Sequence, residues 1–208
     1  MNRERLLIQK SELYTIGALM GKDWFYGFSP EKGVDKSTVI YALHNLWKSK
    51  IIEQKCNGFT VDKKYKHIFD GIFGAVSALK VKENNTGRSL CGYIGKEICV
   101  IEPSEIKNDE LRIFSTDTKG LIEYLIDEEY IPAMEQEMYD DGILNAAASE
   151  SDGLLDIEFI VPESGEITES VSLKMHGAYH MLVLKKDGVE QRKLFTLKLL
   201  EQIIDKKR

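Results

Sequence analysis

Between Glu83 and Gly87 the hydrophobic pattern changes period, and that change constrains the fold more than any motif does. Before it, apolar residues recur every three or four positions, as on helices that bury one stripe. After it they alternate or run together in short blocks bounded by turn residues, as in strands. A helical first part must therefore pack on a sheet built by the second, which predicts an α+β chain. With 208 residues, 43% apolar and 30% charged, the chain can bury a full core, and a disordered or collagen-like chain is excluded.

In the first part, Arg5–Gln9 predicts a short strand, and Ser11 the N-cap of a helix to Met20 with Gly21 just past its end. A second helix from Asp35 or Ser37 to Lys50 is expected to bury Val39, Ala42, Leu43, Leu46 and Trp47. Asn57-Gly58, flanked by Ile51–Lys55 and Phe59–Val61, signals a tight hairpin. Asp62 then caps a long helix with Tyr65, Ile68, Phe69, Ile72, Phe73, Val76 and Leu79 on one side.

In the second part, Ser89–Ile94, Glu97–Ile101 and Glu110–Phe114 read as strands, closed by a helix over Thr118–Glu128. Leu154–Val161, Ile167–Lys174, Tyr179–Lys185 and Glu190–Leu194 read the same way, with a turn at Asp187-Gly188 and a helix opened by Thr196. The same order of elements occurs twice, which predicts pseudo-duplicated halves. The expected organisation is a winged-helix-like N-terminal part (1–82) packed on two meander-and-helix units (89–128 and 154–206). An acidic helical segment near 133–148 joins the units, and the whole forms one compact domain with a twisted, mostly antiparallel sheet under covering helices.

Charge is strongly segregated. Residues 1–119 hold 19 Lys+Arg against 15 Asp+Glu, residues 120–173 hold none against 15, and residues 174–208 hold 9 against 4. Together they give the net −6. The cation-free stretch reads either as a solvating face or as a docking surface for a basic or helical protein partner. On the docking reading its contact residues are Glu128, Glu129, Met134, Glu135, Met138, Asp140 and Asp141. The Trp24–Phe28 run reads first as core filling where a loop crosses a helix pair and otherwise as aromatic anchors for a partner, with Tyr26 and Phe28 expected to be more exposed than Trp24.

Catalytic signals are missing. No Walker loop, G-x-S-x-G or G-x-G-x-x-G occurs, so no enzyme is expected. Cys56, Cys91 and Cys99 lack C-x-x-C spacing, and His176 and His180 fall in a hairpin pattern where helical spacing does not apply, so neither metal nor other cofactor is expected. No apolar run reaches the ~20 residues that span a bilayer, and the N-terminus resembles no signal peptide. Membrane insertion is therefore not expected, and the cytoplasm is. A homodimer stays open.

Ser37–Trp47 followed by the hairpin to Val61 looks like a recognition helix running into a wing. That alternative, a DNA-binding regulator, would use Lys36, Ser37, Thr38, Lys48 and Lys55 on phosphates and Tyr41 or His44 near base edges. The acid-rich stretch makes nucleic acid the less favoured partner.

Several features occur in one order: Ser11-Glu12-Leu13, Leu19-Met20-Gly21 and an aromatic/Pro loop; Leu46-Trp47 before Ile51-Ile52; Phe59-Thr60-Val61-Asp62 leading a helix; then a meander closed by a short helix. This order resembles the EspG-type chaperones of the ESX (type VII) secretion pathway. The resemblance implies a cytosolic, pseudo-two-fold α+β protein that keeps secretion substrates soluble through a sheet-edge loop and a helical region. By position it points to the Val161–Ser170 loop (Pro162, Glu163, Ser164, Gly165, Glu166) and to Met134–Leu144. The chain is shorter than typical members.

Overall fold

A computed structural model describes residues 5–22, 26–28, 34–107, 109–131, 152–176 and 179–208, with only the backbone of Asp152, His176 and Tyr179. The expected acidic helix near 133–148 lies outside the described residues.

The chain opens with β1 (Leu6–Gln9) and α1 (Lys10–Leu19). The N-cap of α1 is Gln9 and not Ser11. The Gln9 amide donates to the Glu12 carboxylate at 2.7 Å, closing a capping box that starts the helix two residues earlier than expected. Next come α2 (Lys36–Lys48) and the hairpin of β2 (Ile52–Lys55) and β3 (Gly58–Val61). Asp35 caps α2 by accepting from the Thr38 amide. The hairpin turn is Cys56-Asn57, because Lys55 pairs with Gly58, which takes φ +130°.

The third helix is shorter than its apolar stripe. Asp62 caps α3 (Lys63–Phe73) as expected, but Gly74 ends it, and Ser77–Glu83 form the strand β4. Val76 is consequently exposed, whereas Leu79 is buried from a strand. Residue 82, the expected boundary, falls within this strand.

From β4 onward two units repeat. The first is β4, β5 (Ser89–Ile94), β6 (Ile98–Pro103), β7 (Glu110–Thr116) and α4 (Thr118–Asp127). The second is β8 (Asp152–Val161), β9 (Glu166–His176), β10 (Tyr179–Lys186), β11 (Val189–Leu194) and α5 (Leu197–Asp205). Each is a four-stranded antiparallel meander closed by a helix. They meet strand to strand, Val81 opposite Ile157, in one nine-stranded sheet ordered β1-β7-β6-β5-β4-β8-β9-β10-β11. The turn at Asp187-Gly188 has φ +50° and +76°, the mirror-image geometry that suits strand twist.

Alternation sends side chains to two cores. Leu90, Ile94, Ile98, Val100 and Phe114 face α4 and α5 together with Leu155, Ile157, Phe159, Val171 and Leu173 from the second unit. Cys91, Tyr93, Cys99, Ile101, Leu111 and Ile113 face the other way, toward α1, α2, α3 and the β2–β3 hairpin. Gly71 lets α3 lie close to the sheet, since a Cβ there would sit 2.5 Å from the Cys99 Sγ. No helix among the described residues is long and apolar enough to cross a membrane.

Candidate functional site

Met134, Glu135, Met138, Asp140 and Asp141 lie outside the described residues, but the chain leading into them is closely held. After α4, Glu129 takes φ +59° and turns the backbone, so that Tyr130 and Ile131 fold into the core at 2% and 1% exposure. Glu128 is half-buried and its Oε1 lies 3.1 Å from Arg5 Nη2, while its carbonyl accepts from Arg88 Nη1 at 2.9 Å. Glu129 is exposed.

Beneath this turn sits a buried charge cluster that sequence reasoning missed. Glu102, only 2% exposed, projects from the core face of β6, two residues beyond Val100. It pairs with Arg112 at 2.9 Å and accepts from the hydroxyls of Tyr124 at 2.5 Å and Tyr130 at 2.7 Å. Arg88 lies 3.6 Å from Glu102, 2.8 Å from Glu105 and 4.5 Å from the centre of the Tyr130 ring. Burial, and then the hydrogen bond to Glu102, push the pKa of both tyrosines far above the ordinary phenol value. Four donors converge on one carboxylate, which is thereby engaged as a cross-link and poorly placed to abstract a proton. The visible signal was a Glu on the apolar face of a strand, directly opposite Arg112.

The other expected contacts lie at the far end of the sheet. β8 and β9 are joined by a tight turn over Pro162–Gly165, and Glu166–Ser170 already belong to β9, so no long Val161–Ser170 loop exists. Glu163, Ser164 and Glu166 are exposed, whereas Pro162 is buried. Tyr26 reaches this turn: its ring lies 3.8 Å from where a Gly165 Cβ would be. The Tyr26 carbonyl accepts from the Tyr93 hydroxyl, and burial, then Cys91 and Glu158, raise its own phenol pKa. Phe28, a candidate anchor within a run read mainly as core, is 8% exposed and belongs to the core between the sheet and the first three helices. The registers of β4 put Arg88 beside Glu83 at one end and Ile160 opposite Ala78 at the other. At ~3.3 Å per residue, the turn and Glu128 stand about 20 Å apart along the strands. The two groups do not form one patch.

The alternative contacts gather on α2. Lys36, Tyr41, His44 and Lys48 are exposed, together with Ile40 and Trp47, so Trp47 is not part of the buried stripe. Ser37 donates to Asp35 within the cap, Thr38 is half-buried, and Lys55 pairs with Glu53 at 3.0 Å on the hairpin. Cys91 and Cys99 are buried and Cys56 is exposed. Among the described residues no group of His, Cys, Asp or Glu is placed to hold a metal ion.

No protein-family model matches this chain, and no curated protein matches it in sequence. Its fold is similar to that of a chain in the solved complex of the Mycobacterium tuberculosis type VII secretion system chaperone EspG5 with the PE25–PPE41 dimer. The TM-score is 0.53 at 6% identity, over 97% of this chain and 94% of that one. The likeness is a distant one of fold.

Proposed function

We propose that this chain is a non-enzymatic, cytoplasmic protein-binding factor, a chaperone or adaptor for substrates of type VII (ESX) secretion. The observation that carries the reading is the fold likeness to EspG5, a chaperone solved with a bound protein dimer, which runs over nearly the whole of both chains. The repeated meander-and-helix units and the acid-rich stretch after α4 also support it. Glu128, Glu129, Glu135, Asp140 and Asp141 with Met134 and Met138 form one contact region, and Tyr26 with Glu163, Ser164, Gly165 and Glu166 a second. Complementary charge mainly steers encounter and rejects wrong partners, so association with a basic substrate segment slows as salt rises.

The test is a pulldown from a strain carrying the secretion locus. Replacing Glu129, Asp140 and Asp141 together by Lys removes the captured substrates, while Glu128, which is held by Arg5 and Arg88, is left in place so that the variant keeps its fold. Capture of the same proteins by this variant defeats the proposal.

A second reading rests on α2, whose outer face carries Lys36, Lys48, Tyr41 and His44 and runs into the β2–β3 hairpin. These features support a winged-helix DNA-binding regulator. A DNA duplex shifted at physiological salt, and released by Lys36→Glu with Lys48→Glu, would favour it over the chaperone.

A further inference from the structure

At the end of the sheet farthest from β1, a cavity of about 510 Å³ opens between the β10–β11 hairpin and α5. Leu184, Val189, Leu199 and Ile203 supply its apolar surface, and Lys186, Lys193, Lys206 and Lys207 its positive charge, against the carboxylates of Glu169 and Asp187. Lys207 is committed, lying 2.6 Å from Glu169 and over the Phe159 ring. Lys186, Lys193 and Lys206 are exposed and have no carboxylate partner among the described residues. With Glu169 taken by Lys207, the groove combines apolar surface with three ammonium groups against one carboxylate, Asp187.

Its outer wall is an edge strand. Among the described residues β11 pairs only with β10, and Val189, Gln191 and Lys193, alternate residues on one face, all line the cavity. A strand added beside β11 would satisfy the open backbone edge and set its own alternate side chains along the same groove. Main-chain bonds then give affinity, and the groove selects the side chains. A second copy of this strand is a poor occupant, because its one acidic residue, Glu190, cannot answer Lys186, Lys193 and Lys206 together and it adds Arg192 and Lys193 of its own.

We propose that this groove binds an extended segment of a partner polypeptide in which acidic and apolar residues alternate, by strand addition to β11. The proposal rests on the protein-binding reading above, but it uses a surface of opposite charge to the acid-rich one.

The test uses the full chain and a fluorescein-labelled synthetic peptide of alternating Glu and Val, followed by anisotropy at physiological ionic strength. Controls are the Lys/Val counterpart and an acidic peptide N-methylated at every second residue. The acidic peptide should bind about tenfold or more tightly than either control, since both the charge and the backbone edge are used. Lys186→Glu, Lys193→Glu and Lys206→Glu together should weaken it by a similar factor at an unchanged melting temperature. Glu129→Lys, at an exposed position, should leave it intact, which separates failure of this groove from failure of the acid-rich contact region. Undiminished binding by the triple Lys variant or by the N-methylated peptide overturns the proposal. So does tighter binding of a DNA duplex or of phosphatidylserine vesicles than of the acidic peptide.

Discussion

The Thr118 hydroxyl, at the start of α4, donates to the Asp205 carboxylate at the end of α5 at 2.5 Å, linking the two covering helices of the repeated units. The units are therefore joined on the helical layer as well as through β4 and β8. Interactions of this kind make several local groups answer to the whole fold.

Glu102 is the strongest case. Replacing it by Ala leaves Arg88 and Arg112 without their shared carboxylate and deprives Tyr124 and Tyr130 of their acceptor. Losing one partner of a buried ionic cluster costs about 3–5 kcal/mol. Urea unfolding of Glu102→Ala should show a loss of that size, and a change below about 1 kcal/mol would mean that the cluster is solvated.

Glu129 sits at φ +59°, a backbone region that costs an L side chain roughly 1 kcal/mol and glycine little. Glu129→Gly should therefore raise the urea midpoint, and Glu129→Ala should not. Equal midpoints for the two variants would show that this turn carries no strain.

Burial pushes the thiols of Cys91 and Cys99 up to about 12, whereas Cys56 lies exposed on the β2–β3 hairpin. The thiolate is the reactive form. Ellman's reagent near pH 8 should modify one cysteine quickly and the other two only on unfolding. Rapid modification of all three in the folded protein would contradict the described packing.

The Glu83 carboxyl has a lowered pKa despite burial, which works against ionisation. The Thr86 hydroxyl and amide and the Asn85 amide outweigh it by donating to the carboxylate. A carboxyl lowered on folding adds stability above its unfolded value of ~4.3, and that stability fades as pH falls through the folded value. Glu83→Gln should cost about 1–3 kcal/mol at pH 7 and progressively less toward pH 3, measured by denaturant titration at each pH. A cost that does not change with pH would remove the charge from this explanation.

Most elements were legible because their signals are local. Asp187-Gly188, Asp62 and Thr196 each mark a turn or cap within a few residues, and the structure uses all three. Strand β4 was not legible: Ile72, Phe73, Val76 and Leu79 continue a helical spacing, and only pairing with β5 and β8 decides otherwise. The charge cluster was hidden for a similar reason. Arg88, Glu102, Tyr124 and Tyr130 are far apart in sequence, and only the strand register and the turn at Glu129 bring them together. Phe28 belongs with them, since its burial depends on the sheet beneath it and not on neighbouring residues.

The Val81–Ile157 pairing also governs what could survive division of the chain. Cleavage between Ile131 and Asp152 would give two fragments, each with one raw strand flank and an apolar underside: Leu79 and Val81 on one, Ile157 and Phe159 on the other. Kept apart, each would seek a substitute neighbour or precipitate. Mixed, they would reconstitute the sheet, because each fragment exposes the strand that the other one lacks.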